Sequence, residues 1–162
     1  LLLHWLVGPV LIADEPTTAL DVTTQTQIMD VIKRRQVENN MGIILITHDL
    51  GIVAQVCDKV AVMYSGSIVE KSSVKAVFNA PMHPYTQALL DAIPALSDSR
   101  GIHRLPTIDG VVPPLWDLLI GCSFQDRYPN VQDRCRTNNP SLQELNCGHS
   151  VACFYPLQNG VK

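Results

Sequence analysis

Two adjacent carboxylates, Asp14 and Glu15, follow the apolar run Val10-Leu11-Ile12-Ala13. A short run of this kind reads as a strand buried on both faces of a sheet. It sets both acids at the strand's carboxyl end, the edge where open α/β sheets bind ligands. Neighbours on extended chain point in different directions, so the two acids can do different work. One can hold Mg²⁺, directly or through water, while the other orients or deprotonates a water. The plainer reading is a pair of solvated acids closing a strand. A second apolar run, Ile43-Ile44-Leu45-Ile46, ends in Thr47-His48-Asp49. His48 therefore falls at the equivalent edge, where an imidazole can donate to a phosphate oxygen; alone, it would be a surface or capping residue. Asp21, six residues after Glu15, opens a helical stretch as its N-cap, a role compatible with a second one.

Sulfur is the other reactive chemistry. Of five cysteines, Cys122, Cys135, Cys147 and Cys153 fall in the last 41 residues, and nine of the eleven prolines lie at or after Pro81. The front half is expected to be regular packed structure and the back irregular chain that needs a staple. Cys57, on the apolar side of a helical stretch, reads as core.

The elements that must position these groups follow from the hydrophobic pattern. Strand Val10–Ala13, a helix from Asp21 to about Asn40 stopped by Gly42, and strand Ile43–Thr47 come first. A short helix bearing Leu50, Val53 and Cys57 follows, then a third strand, Lys59–Tyr64. Alternating apolar strands and helices predict a parallel sheet flanked by helices, an α/β fold. Ser65-Gly66 predicts a hairpin into Ser67–Glu70. A short helix around Val74–Phe78 and another from Pro84 to about Ile93 precede a linker, 95–104, and the Cys-bearing tail.

The 162 residues are 46% hydrophobic and 17% charged, with a net charge of −3. This composition excludes wholesale disorder and argues against nucleic acid as a partner. The stretch Leu1 to Ala13 carries His4 and is cut by Gly8-Pro9. It is too short and broken to span a bilayer and lacks the marks of a secretion signal, so a soluble chain is expected. Starting at Leu1 in mid-pattern, it is also expected to be part of a longer protein.

The stretch Leu11-Ile12-Ala13-Asp14-Glu15-Pro16-Thr17-Thr18-Ala19-Leu20-Asp21-Val22 resembles the Walker B and D-loop of ABC-type ATPases, and Ile44-Leu45-Ile46-Thr47-His48-Asp49-Leu50 resembles their switch-histidine loop. The resemblance implies a P-loop NTPase core. In it Asp14 holds Mg²⁺, Glu15 is the base or positioner for the attacking water, His48 senses the γ-phosphate of ATP, and Asp21 communicates across a head-to-tail dimer. The Gly-rich phosphate loop that should precede these motifs is absent from the 162 residues, as are a glutamine loop and a signature motif. The core is thus expected to be incomplete at its N-terminus and inactive alone, through truncation or gene decay.

Further on, His83-Pro84-Tyr85-Thr86-Gln87-Ala88-Leu89-Leu90, Leu105-Pro106-Thr107-Ile108-Asp109-Gly110 and Gly121-Cys122-Ser123-Phe124 are similar to the extension of oligopeptide and dipeptide importer ATPases. The resemblance divides the chain into an ATPase segment, 1–80, and an irregular Cys-rich extension, 81–162. It implies coupling of ATP hydrolysis to import of peptides or similar solutes. The implied partners are a second ATPase subunit and transmembrane permease subunits, with a peripheral location on the cytoplasmic face of the plasma membrane. Some members of that family hold a four-iron, four-sulfur cluster in the tail. Cys122, Cys135 and Cys153 match its ligands, but Tyr128 stands where another cysteine is expected, with Cys147 as an alternative source of the fourth sulfur. A cluster, a Cys₄ zinc site and plain packed thiols stay open; cytosolic thiols disfavour disulfides. The alternative function is a catalytically silent regulatory module whose tail senses metal or redox state.

Overall fold

The computed structural model describes residues 9–93, 110–114, 116, 119–146 and 148–158. The chain divides into two compact units between Val56 and Cys57.

The first unit is built on two parallel strands, β1 (Val10–Asp14) and β2 (Gly42–Ile46), with Val10 opposite Gly42 and Asp14 opposite Ile46. Helix α1 (Val22–Asn39) makes the crossover. It starts at Asp21, whose side chain accepts the Thr24 N–H, and it ends at Asn40, which takes a left-handed conformation at φ 47°. Asn40 is therefore the stop, two residues before the glycine expected to provide it. Asn is one of the few residues other than Gly that adopt this conformation readily. Helix α2 (Leu50–Val56) follows, with Asp49 Oδ1 accepting from the Ile52 N–H at 3.1 Å. The strands are not buried on both faces as their composition suggests, since Leu11, Ile12, Ile44 and Ile46 are exposed.

The second unit is a four-stranded antiparallel sheet in the order β3-β4-β6-β5. Its strands are β3 (Lys59–Tyr64), β4 (Ser67–Ser73), β5 (Gln143–Asn146) and β6 (His149–Val151). This corrects the expectation that Lys59–Tyr64 extends a parallel sheet. A short run rich in Val specifies a strand and not its partner; the turn that follows chooses the partner here. Ser65 (φ 44°) and Gly66 (φ 77°) both lie in the left-handed region, which closes a tight antiparallel hairpin. Helices α3 (Val74–Asn79) and α4 (Pro84–Asp91) follow, the latter with Pro at its first turn and His83 as its N-cap. The tail is more ordered than expected: it has a 3₁₀ turn at Gln125–Arg127, helix α5 (Asp133–Thr137) and the two strands that complete the sheet.

The core of this unit is Val62, Tyr64, Val69, Val77 and Phe124. The Phe124 ring packs against Tyr64 at 5.3 Å, Tyr85 at 5.5 Å and His83 at 5.8 Å between centroids. A residue of the tail thereby becomes the centre of the aromatic core. No helix among the described residues is long and apolar enough to cross a membrane.

Candidate functional site

The parallel register sets the ends of β1 and β2 side by side, and the chain leaves β1 by a sharp bend. Glu15 has φ 45°, in the left-handed region, while its N–H still donates to the Ile46 carbonyl at 2.8 Å. The ladder thus persists one residue past the strand and the side chain is turned across to the neighbouring loop. A non-glycine residue held in this conformation is characteristic of sites where geometry matters. Thr18 N–H to the Glu15 carbonyl (3.1 Å) and Leu20 N–H to the Thr17 carbonyl (3.3 Å) shape the turn that follows.

The result joins two residues 33 apart in sequence: His48 Nδ1 lies 2.8 Å from Glu15 Oε1. With a carboxylate as acceptor, Nδ1–H donates, which leaves Nε2 facing outward. The Thr18 hydroxyl donates to the other carboxylate oxygen, Oε2. These hydrogen bonds, the Thr18 one first and the His48 one next, hold the Glu15 carboxyl below its usual range. The same partnership raises His48, through the hydrogen bond and the charge of Glu15. Glu15 is therefore ionised at neutral pH, and His48 keeps its proton to higher pH than a free imidazole. Both side chains are open to solvent.

Asp14 ends β1 beside this pair and is exposed. A carboxylate at a strand end fits Mg²⁺, whose oxygen ligands include one or two carboxylates and retained waters. Asp21 is engaged with its own helix: Thr24 donates to it through N–H (3.0 Å) and Oγ1 (2.7 Å), which lowers its pKa. Sequence reasoning gave Thr18 no role. Its position three residues after Glu15, within a tight turn, is the signal that could have found it.

In the second unit Cys122, Cys135 and Cys153 are brought to one place, lining a cavity of about 20 Å³ together with Tyr128. Gly121 (φ 91°) makes this approach possible, because a Cβ there would lie 2.4 Å from the Cys135 carbonyl oxygen. That oxygen accepts the Cys122 N–H at 2.7 Å. Burial raises the Cys122 and Cys153 thiols. The cavity holds about one water, and among the described residues no three His, Cys, Asp or Glu side chains stand where they could share a metal ion. Three of the expected cluster ligands thus line one cavity, and Cys147 lies outside the described residues. Cys57 is half-buried directly after α2.

Sequence reasoning also missed a buried polar centre. Glu70, fully buried, accepts from the Met82 N–H (2.7 Å) and the His83 N–H (3.0 Å) and pairs with His149 Nε2 at 2.7 Å. Burial lowers His83 to about 4, against a smaller opposing pull from Glu70.

Residues 69–135 match the family described as the oligopeptide/dipeptide transporter, C-terminal region. The chain is 48% identical over 149 residues to the dipeptide transport ATP-binding protein DppD of Escherichia coli (strain K12), an alignment covering 92% of this chain and 45% of that protein. It is 50% identical over 148 residues to the oligopeptide transport ATP-binding protein OppD of Salmonella typhimurium, covering 91% and 43%. It is 45% identical over 152 residues to the oligopeptide transport ATP-binding protein AppD of Bacillus subtilis, covering 94% and 46%. The chain spans about half the length of the curated relatives it matches.

Proposed function

On the premise that this chain belongs with the C-terminal portion of the ATP-binding subunits of oligopeptide and dipeptide ABC transporters, we propose that it is part of a subunit hydrolysing ATP to drive import of a peptide or similar small solute. The observation that carries this reading is the Glu15–His48 hydrogen bond across the carboxyl ends of two parallel strands. Phosphoryl transfer needs positioning and charge neutralisation more than covalent chemistry. The held, ionised Glu15 carboxylate is suited to orient a water. His48 is suited to donate to the terminal phosphate, and Asp14 would hold the Mg²⁺ that neutralises phosphate charge. Asp21 would carry contact to a second ATPase subunit beyond its capping role.

In this reading residues 1–80 belong to the ATPase domain and 81–162 to its extension. The complete protein works with permease subunits at the cytoplasmic face of the membrane. The 162 residues alone lack the Gly-rich phosphate cradle, without which tight ATP binding fails. The apolar faces of β1 and β2 are then covered in the complete domain by further strands and helices, as parallel sheets require.

The test is Glu15→Gln in the complete protein, with phosphate release measured in the assembled transporter. Turnover should fall by ~10²–10⁴-fold, the worth of a general base, with ATP binding retained. Near-normal turnover would reject the assignment of Glu15, and rapid turnover by residues 1–162 alone would reject the requirement for the missing cradle.

A further inference from the structure

The three matching cysteines raise the question of what occupies the place of the fourth ligand in this chain. Position 128, six residues after Cys122, carries a tyrosine. Its ring lies nearly parallel to that of Phe124, at 25° and 6.2 Å between centroids. Phe124 is buried and is the hub onto which Tyr64, Tyr85 and His83 also pack. Tyr128 is therefore an outer member of the aromatic core, and it also lines the cavity reached by Cys122, Cys135 and Cys153. Phenolate is a poor ligand for an iron–sulfur cluster, which is held by thiolates. The cavity beside the three cysteines is about 20 Å³, room for about one water, and among the described residues no three His, Cys, Asp or Glu side chains stand where they could share a metal ion.

Contacts within the chain hold the tail together instead. Ala152 N–H donates to the Val69 carbonyl at 2.8 Å and Leu157 N–H to the Met82 carbonyl at 2.8 Å. His149 reaches Glu70, and the Arg134 guanidinium lies 4.1 Å over the Phe154 ring. Each piece of the tail that carries a matching cysteine has its own attachment: Phe124 for Cys122, the Cys122–Cys135 backbone bond for Cys135, and the Val69 contact beside Cys153.

We propose that the tail of this chain folds and functions without a metal cluster, its three thiols serving as packed apolar groups, and that Tyr128 is the residue that keeps the cluster out. The proposal rests on the family reading only for the identity of the replaced ligand. Its test reads iron rather than ATP turnover, so the two can fail separately.

The 162-residue chain is incubated anaerobically with ferrous iron, inorganic sulfide and dithiothreitol, then desalted and analysed for iron, sulfide and absorbance near ~400 nm. The native chain should stay colourless and free of bound iron. Its thermal melting should be the same with and without a strong iron chelator. Tyr128→Cys should gain the brown chromophore with iron and sulfide in equal amounts. Stoichiometric iron and sulfide on the native chain would overturn the proposal, and Cys147→Ser would then tell whether Cys147 is the fourth ligand. A Tyr128→Cys chain that melts normally and stays colourless would reject Tyr128 as the excluding residue. Should that variant fail to fold, Tyr128→Phe supplies the check: it keeps the ring and should match the native chain in melting and in lack of iron. A chelator that melts the native tail would refute a cluster-free fold by itself.

Discussion

In residues 9–56 the buried side chains among the described residues are Thr17, Met29 and Val53, while Leu11, Ile12, Ile44 and Ile46 on the paired strands lie open. In residues 57–158 the same kinds of side chain are inside: Val62, Tyr64, Val69, Val77 and Val151 are buried, and so are Glu70, His83 and His149. The first region carries the Glu15–His48 pair on a two-stranded platform whose Leu11, Ile12, Ile44 and Ile46 side chains are exposed. The second has a core, a buried polar centre and ties between distant segments. A site needs only a few hydrogen bonds to set its local geometry, as Glu15, Thr18 and His48 illustrate, whereas a stable core needs closure of apolar faces. The pairing of a shaped site with an open sheet is what a segment of a larger α/β domain should look like, and three measurements can break or sharpen that contrast.

The largest expected effect is in the second region. Glu70 joins β4, the entry to α4 and β6 through one carboxylate, and it is inaccessible to solvent. Glu70→Ala leaves two buried N–H groups and a buried imidazole without their acceptor. Removing one partner of a buried pair costs about 3–5 kcal/mol, a large share of a small unit's stability. Denaturant unfolding followed by amide exchange should show protection collapsing across β4 and β6, with amides of α1 unchanged. Unchanged protection in β6 would mean that the tail is not held through this carboxylate.

Next is the acid sensitivity that His83 gives the second region. His83 is buried, and its Nδ1 accepts the Tyr85 N–H at 3.1 Å, a role only the neutral ring can fill. Its folded value of about 4 lies below the unfolded value of ~6.5. Between those pH values the unfolded chain binds a proton that the folded one does not. Stability is therefore fully present above ~6.5 and falls as the pH drops towards 4, by roughly 3 kcal/mol from this group. Unfolding midpoints between pH 7 and 4 should decline, and His83→Gln should flatten that decline. An equal slope in both chains would assign the acid sensitivity elsewhere.

The sequence made some of this contrast legible and hid the rest for physical reasons. Asp21 as a cap, Pro84 at a helix start and Ser65-Gly66 as a hairpin turn were readable because each acts within four residues of itself. The positions of Glu15 and His48 at strand ends were readable from two apolar runs; their direct hydrogen bond was not, since it depends on register between segments 33 residues apart. Glu70 was invisible because an acid in a hairpin strand ordinarily faces water, and its burial is created by β6, some 79 residues later. For the same reason the tail's sequence suggests irregular chain. Its strands are short and mostly polar, Gln143–Asn146 and His149–Val151, and they exist because β4 offers an edge.

The smallest effect separates local structure from partnership in the first region. Asp21 accepts from both the Thr24 N–H and hydroxyl, and the ionised carboxylate is favoured by those bonds. Asp21→Ala removes the cap and should lower melting by a few degrees, with faster exchange confined to the first turn of α1. Asn caps helices about as well as Asp, so Asp21→Asn should restore melting and exchange to native values. If capping is the whole role of Asp21, Asp21→Asn in the complete protein will hydrolyse ATP at the native rate. If its charge also acts across a dimer, Asp21→Asn will keep the native melting and lose turnover. The isolated chain, whose open platform has no partner subunit, would register only the first of those two roles.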